Sequence, residues 1–525
     1  MADWEQYSRL QDGVALSDLV TPQDAVGTTY DDLLLLPGHV TFDREQVDLE
    51  TRFTRNITLK VPIVSSPMDT VTDSRMAIAM ALQGGIGVIH SNMTAEQQAA
   101  EVRRTKRFRN GFISDPVCLG PTASAADAQQ QSVRGFRSIP ITETGTPGGK
   151  LLGIVTRRDI ESVDEWCLAQ TLVTNIMSVK LVTGQAGTTL EEAREMLRTS
   201  GVSKLPIVNE SGELVALVTR KDLRNTRQYP LATMDRNSQL RVAAAISTHP
   251  EDRDRARLLV EAGVDAIVID SSHGSSVHQI STLQWLKQNF PQVDVVAGNV
   301  STRAGTALLV AYGADAVKVG MGVGSICTTQ KVCAVGRAQA SAVVAARGAA
   351  MAAMTHDGLV PVIADGGIRG SGDILKALAL GAGTVMIGGL LASTDESPGE
   401  YFYRDGVRVK TYRGMGSAAA MKDGSAKRYQ GPALAGGKEM MAAEGAAFGA
   451  VRVPQGVVGT VAHRGSVHSL VPHLAEAVRH GFQSLGRRTM EDLHNGVMLG
   501  EVRWQRHSGA SAVEGGVHNL VSHDA

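Results

Sequence analysis

Ala314-Asp315-Ala316-Val317-Lys318-Val319-Gly320 runs directly into Met321-Gly322-Val323-Gly324-Ser325-Ile326-Cys327-Thr328-Thr329-Gln330. The first part is a short apolar run that reads as a buried strand. The glycines that follow let the backbone turn tightly and approach a ligand or ion closely. One thiol then sits among small polar residues. A strand that ends in a glycine-rich loop carrying a single Cys is a place for a nucleophile. The competing reading is a small buried Cys in a turn, since free Cys packs as a small hydrophobe.

The same strand-then-loop unit recurs along the chain. Before it come Pro62-Ile63-Val64-Ser65-Ser66-Pro67-Met68, Gly84-Gly85-Ile86-Gly87-Val88-Ile89-His90, Val242–Ser247, Ala266–Asp270 and Val295–Asn299. After it come Pro361–Gly367 and Thr384–Gly389. Helical patterns separate the strands, at Ser74–Leu82, Arg253–Ala262, Gln279–Lys287, Ala304–Tyr312 and Gly372–Leu380. Eight near-continuous apolar strands alternating with helices predict an α/β fold of the TIM (β/α)8 barrel type. Residues 95–110 form a helix whose basic end, Arg103 to Arg109, reads as a solvated face and not a nucleic-acid site.

Residues 112–229 interrupt the rhythm after the second unit. Ser138-Ile139-Pro140-Ile141 and Gly153–Asp159 are echoed by Lys204-Leu205-Pro206-Ile207 and Ala216–Asp222. The prolines of the two copies are 66 residues apart and the aspartates 63 apart, so the first copy carries three extra residues near Thr146-Pro147-Gly148-Gly149. Two such ββα units packed together bury what each alone leaves exposed. The pair resembles a tandem of cystathionine-β-synthase (CBS) modules, with copies at 112–172 and 173–229. That resemblance places Thr156, Asp159, Thr219 and Asp222 near the ribose of a bound adenine or guanine nucleotide. The barrel then comprises residues 1–111 and 230–525, with a Gly/Ala-rich segment at about 418–452 that reads as a mobile flap.

Composition narrows the function classes. At 525 residues the chain needs more than one core. With 43% hydrophobic and 20% charged residues it reads as a soluble globular protein. A net charge of −1 offers no field for nucleic acid or an anionic membrane. The four cysteines (Cys118, Cys167, Cys327 and Cys333) show no CxxC spacing, so neither zinc nor a dithiol site is signalled. Few cysteines, no secretory signal pattern and no membrane-length apolar run make the cytoplasm the expected location.

Barrel active sites lie at the C-terminal ends of the strands. This rule gathers Ser66, Asp270, Asn299, Cys327, Asp365 and Gly388. Gly366-Gly367 and Gly388-Gly389 follow strands seven and eight, the usual position of a backbone phosphate cradle. Asp365, directly before one pair, is suited to the hydroxyls of a ribose. A nucleotide or sugar phosphate within reach of Cys327 follows from these residues alone.

Val64–Val71, Gly320–Gln330, Val362–Ile368, Tyr412–Ser417, Arg428-Tyr429 and Glu514-Gly515-Gly516 together resemble the inosine-5′-monophosphate (IMP) dehydrogenase family, of the eukaryotic type. The resemblance covers nearly the whole chain, and the CBS tandem sits where that family has it. It implies NAD-dependent oxidation of IMP to XMP, the committed step of guanine nucleotide synthesis. Cys327 attacks C2 of the purine, hydride passes to NAD, and water hydrolyses the resulting thioimidate, with Arg428, Tyr429 and Thr329 in the hydrolytic step. It also implies that Ser325, Gly367, Gly388, Gly389 and Tyr412 hold phosphate, that Asp365 holds the ribose, and that Gly366 belongs to the same substrate site. Ser66, Met68, Gly414, Met415, Gly416 and Gln455 complete the IMP site. Asp270, Ser271, Ser272, Asn299, Gly320 and Gly322 lie on the NAD side. K⁺ is ringed by carbonyls of Gly322, Gly324 and Cys327, completed by Glu514, Gly515 and Gly516 of a neighbouring subunit, which implies a homotetramer with an octamer as a further assembly.

Some positions depart from the family pattern. Gly389 stands where a Ser is usual, Gln430 replaces an aromatic, Lys318 replaces an Arg, and the flap is longer. Two rival functions are GMP reductase, which shares the barrel and Cys loop, and a non-catalytic nucleotide-sensing assembly protein built on the CBS pair. Gln455, where a reductase has Glu, and Arg428-Tyr429 argue against the first. An intact Cys327 argues against the second.

Overall fold

The computed structural model describes residues 12–21, 23–108, 113, 116–133, 136, 138–220, 228–237, 239–354, 358–425 and 453–517. The chain forms two compact units, residues 106–240 and the remainder.

The larger unit is a closed barrel of eight parallel strands: Ile63–Ser65, Ile86–Ile89, Ala243–Ile246, Ala266–Asp270, Asp294–Val300, Ala316–Val319, Val362–Asp365 and Thr384–Ile387. Strand eight pairs with strand one through Val385↔Ile63 and Met386↔Val64, which closes the cylinder. Side chains alternate along each strand. One set (Val64, Val88, Ala243, Ala245, Ala266, Val268, Val296, Ala316, Ile363 and Met386) packs inside the barrel. Phe53, Ile57 and Leu59 join that core from the hairpin Thr51–Leu59. The alternate set, including Ile267, Ile269, Val317, Val319, Val362 and Val385, packs in a second cluster with helix residues such as Leu259, Leu309 and Leu378. Each fully buried aliphatic side chain contributes about 1.5–3 kcal/mol.

The expected barrel helices are present at Ser74–Leu82, Asp252–Glu261, Val277–Asn289, Arg303–Ala311 and Ser371–Ala379. The basic helix is shorter than expected and ends at Lys106. The described residues between 400 and 517 carry regular structure that their turn-rich sequence does not announce. They hold an antiparallel sheet of Phe402–Arg404, Val407–Arg413 and Val458–Ala462, and the helices Val467–Ser484 and Met490–Met498. Helix Val467–Ser484 packs against both Ser371–Ala379 and Ser74–Leu82, the place of an eighth barrel helix. The expected loop from Ala418 begins as a helical turn, Ala418–Lys422, because Ser417 Oγ accepts from the Ala420 amide and caps it. Outside the barrel, Leu33–Leu35 pairs with Trp504–Arg506.

The smaller unit contains both sequence copies as hairpins. Ser138–Thr142 pairs with Leu151–Thr156, and Lys204–Val208 with Leu214–Thr219. The first hairpin's loop, 143–150, is three residues longer than 209–213. Its extra length contacts the other copy: Gly148 N–H donates to Leu214 O at 2.9 Å, and Leu214 N–H to Gly149 O at 3.0 Å. No helix among the described residues is long and apolar enough to cross a membrane.

Candidate active site

The cysteine loop leaves strand six at the barrel's C-terminal mouth. Cys327 N–H donates to Gly324 O at 2.9 Å, which closes a tight turn. The turn is then pinned to the segment around Gln455–Val457: Thr328 N–H donates to Gln455 O and Val457 N–H to Ile326 O, both at 3.0 Å. The Cys327 sulfur lies 3.1 Å from Thr329 Oγ1. It lines a cleft with Ser66, Met68, Asn299, Asp365, Gly366, Gly388, Tyr412 and Met415.

Opposite the thiol, Tyr412 comes from the central strand of the antiparallel sheet and is buried. Its hydroxyl donates to Met68 Sδ at 3.8 Å, and burial pushes its pKa up to about 12, so it stays protonated and can donate. Gly388 brings the chain so close to Tyr412 that a Cβ there would sit 2.7 Å from the phenol oxygen. Gly366 has φ +95°, which side chains rarely adopt, and turns the chain directly after Asp365.

Lys318 lies at the centre of the mouth. Its ammonium donates to Asp270 Oδ1 and Asp365 Oδ2, both at 2.9 Å, and also to Asn299 Oδ1. Asn299 Nδ2 donates to Asp365 Oδ2 at 3.0 Å and to Gly320 O at 2.8 Å. Alternation explains the meeting: Ala316, Val268 and Ile363 face inward, so Lys318, Asp270 and Asp365, two residues on, form the next inward layer. The cleft thus holds a thiol, hydroxyl donors, carboxylate acceptors and an apolar wall of Met68, Ile326 and Met415.

A family model described as "IMP dehydrogenase / GMP reductase domain" matches residues 27–518. The chain belongs to the IMP dehydrogenase / GMP reductase family. It is 47% identical to the inosine-5′-monophosphate dehydrogenase of Toxoplasma gondii, over 94% of this chain and 96% of the relative. It is 46% identical to that of Schizosaccharomyces pombe, over 98% and 96%, and 44% identical to that of Caenorhabditis elegans, over 99% and 97%. Among solved structures it is similar to a cysteine-to-alanine variant of GMP reductase from Trypanosoma brucei in complex with guanosine 5′-monophosphate. That match has a TM-score of 0.80 at 35% identity, covering 95% of this chain and 99% of that one.

Of the residues expected from the IMP dehydrogenase resemblance, Ser66, Met68, Asn299, Gly320, Gly322, Gly324, Cys327, Asp365, Gly366, Gly388, Tyr412, Gly414, Met415, Gly416 and Gln455 all line the cleft. Ser325 and Gly389 stand behind Tyr412: a Cβ on Gly389 would lie 3.5 Å from both Ser325 Oγ and the phenol ring. Gly367 packs over the Tyr30 ring. Asp270 lines a smaller neighbouring pocket with Ser247, Asp252, Arg255 and Ser425. Ser271 follows strand four, its N–H donating to Gly298 O at 3.2 Å, with Ser272 next to it, and neither lines the cleft. Glu514, Gly515 and Gly516 are exposed at the end of helix Gly509–Glu514. Arg428, Tyr429, Gln430 and Asp222 lie outside the described residues.

Two histidines at strand ends take no part beside the thiol. Burial pushes His90 down to about 4, and its Nδ1 accepts from the Asn92 amide at 3.1 Å. His273 is exposed on the loop after strand four. Thr156 and Asp159 form a reciprocal cap on helix Arg157–Glu161, with Thr156 N–H donating to Asp159 Oδ2 at 2.6 Å. That use is structural and sufficient to explain both residue types. Of the lining residues not expected from sequence (Pro67, Lys318, Val323, Ile326 and Gly456), Lys318 is the one that carries a charge. Its signal was a lone cation at an inward position of an otherwise apolar strand.

Proposed function

We propose that this cleft binds IMP against Cys327 and that the protein oxidises it to XMP with NAD. The observation that supports this most is the Cys327 sulfur facing the same cleft as Asp365, Gly388 and Tyr412. The nucleotide phosphate rests among Ser325, Tyr412 and the backbone of Gly366, Gly367, Gly388 and Gly389. Asp365 accepts from the ribose hydroxyls, and Met68, Met415, Gly416 and Gln455 bracket the base. These placements put C2 of the purine at the sulfur.

The Cys327 thiolate adds to C2, since a neutral thiol is a poor nucleophile. NAD, bound on the Asp270, Ser271, Ser272 and Asn299 side, supplies the acceptor for the hydride that leaves C2. A thioimidate then joins the nucleotide to Cys327, and water attacks C2 to release XMP and the thiol. Thr329 Oγ1, at 3.1 Å from the sulfur, holds Cys327 in place and lies where the attacking water arrives. Arg428 and Tyr429 assist that water. One IMP, one NAD and one water give XMP, NADH and a proton.

The donor set for K⁺ is carbonyl oxygen from Gly322, Gly324 and Cys327. Gly324 O accepts one hydrogen bond, from Cys327 N–H, and a carbonyl retains a second lone pair for an ion. Exposed Glu514, Gly515 and Gly516 suit a contribution from a neighbouring subunit, which carries the homotetramer. The smaller unit is read as the CBS pair, binding an adenine or guanine nucleotide, and the protein as cytoplasmic.

The likeness to a GMP reductase favours a second reading, reductive deamination of GMP with NADPH. Gln455, a neutral amide lining the cleft, argues against it. NADH formation from IMP and NAD, with and without K⁺, is the test. IMP-dependent NADH is expected; NADPH consumption with GMP in its place assigns the reductase.

A further inference from the structure

Lys318 is 1% exposed, yet it does not sit in a simple ion pair: one ammonium serves two carboxylates and one amide. We infer that Lys318 is a positioning residue that couples the two substrates, by sharing one charge between the nucleotide carboxylate Asp365 and the dinucleotide-side carboxylate Asp270. The inference rests on the functional reading above and deepens it.

The geometry carries this in three steps. Asp365 uses Oδ2 for both Lys318 and Asn299 Nδ2, and no described residue donates to Oδ1. The carboxylate therefore lines the cleft with one oxygen fixed and one available to sugar hydroxyls. Asp270, at the same distance from the same ammonium, lines the adjoining pocket. Asp270 and Asp365 both draw on the one Lys318 ammonium, so its charge is divided between them. Whatever draws it toward one weakens its hold on the other. Burial makes this competition matter, because water does not screen it. A ligand that donates hydrogen bonds to Asp270 releases the ammonium toward Asp365, and the reverse must hold by reciprocity.

The test is a cycle of Asp270→Asn and Lys318→Met in the full-length protein, read by calorimetric titration of IMP without NAD. Asp270 is remote from the nucleotide in the functional reading. Neutralising it lets Lys318 close onto Asp365 and compete with the ribose, so Asp270→Asn should weaken IMP binding several-fold. In the Lys318→Met background the same change should leave IMP affinity unaltered, since the shared charge is gone. An equal effect in both backgrounds overturns the inference, as does no effect of Asp270→Asn on the unaltered protein. Where Lys318→Met does not fold, Asp365→Asn decides: it should weaken NAD affinity several-fold, and no shift overturns the inference. Lys318→Arg, which keeps the charge, should retain the transmitted effect. A structural lysine would lower thermal stability without this pattern. An unaltered protein that fails to bind IMP sinks the functional reading itself, whereas tight IMP binding without transmission sinks only the coupling.

Discussion

Gly388→Ala tests the nucleotide cradle with one methyl group. Gly388 has φ −105° and ψ −71°, so alanine meets no left-handed backbone there. The penalty is steric: the new Cβ would lie 2.7 Å from the Tyr412 hydroxyl and 3.2 Å from Met68 Sδ. Ordinary contact is about 3.5 Å, so the hydroxyl must move by roughly 0.8 Å. Tyr412 cannot retreat freely, because its backbone is paired with Gly459 and its ring is buried. The shift disturbs the contact with Met68 Sδ and moves the donor proposed to meet the phosphate. A hydrogen bond to a charged group contributes about 1.5–3 kcal/mol, so KM for IMP should rise roughly 10- to 150-fold. Tyr412→Phe should cost about the same. The double change should be no worse than Tyr412→Phe alone, since the clashing oxygen is gone. The assay is NADH formation against IMP at saturating NAD. A Gly388→Ala protein with unchanged KM, or penalties that add in the double variant, refutes this account of the cradle.

Thr329→Val removes the hydroxyl 3.1 Å from the Cys327 sulfur; alkylation of Cys327 by iodoacetamide should slow several-fold, while IMP affinity stays near its original value. Acid should destabilise the fold through His494, which burial holds at about 4 while its Nε2 donates to Leu378 O at 3.0 Å. The native state binds fewer protons there than the unfolded chain, so this contribution is full above about pH 6.5 and is lost as pH falls toward 4, costing about 2 kcal/mol by pH 5. His494→Gln should flatten that part of the pH dependence, read as urea midpoints at pH 7 and pH 5. Arg413→Met strips Asp69 of a partner at 2.7 Å and breaks the bond to Asp423 at 2.8 Å; discounted for partial exposure of the arginine, the loss should be about 2 kcal/mol by denaturant melting.

Strands were the legible part of the fold. Runs such as Ala266–Asp270 and Thr384–Ile387 are buried on both faces, and continuous apolarity marks them. The eighth barrel helix was not legible, because Val467–Ser484 follows strand eight only after a long excursion through the antiparallel sheet. In that sheet, Phe402–Arg404 is exposed along its length, so no apolar alternation announces it. Within the site, the strand-end rule located Ser66, Asn299, Cys327 and Asp365 from position alone, and the cleft brings them together. Lys318 escaped it because it belongs to the inward face one step before the strand's end. Only the closed barrel shows that Asp270 and Asp365 meet across it.

The covalent step at Cys327 is the centre of the account. Acid quenching during turnover with IMP and NAD, followed by intact-protein mass spectrometry, reads it directly. The account predicts a population heavier by one oxidised nucleotide, mapped to the peptide containing Cys327 and absent from Cys327→Ala, which should also form no NADH. IMP-dependent NADH formation by Cys327→Ala would contradict it.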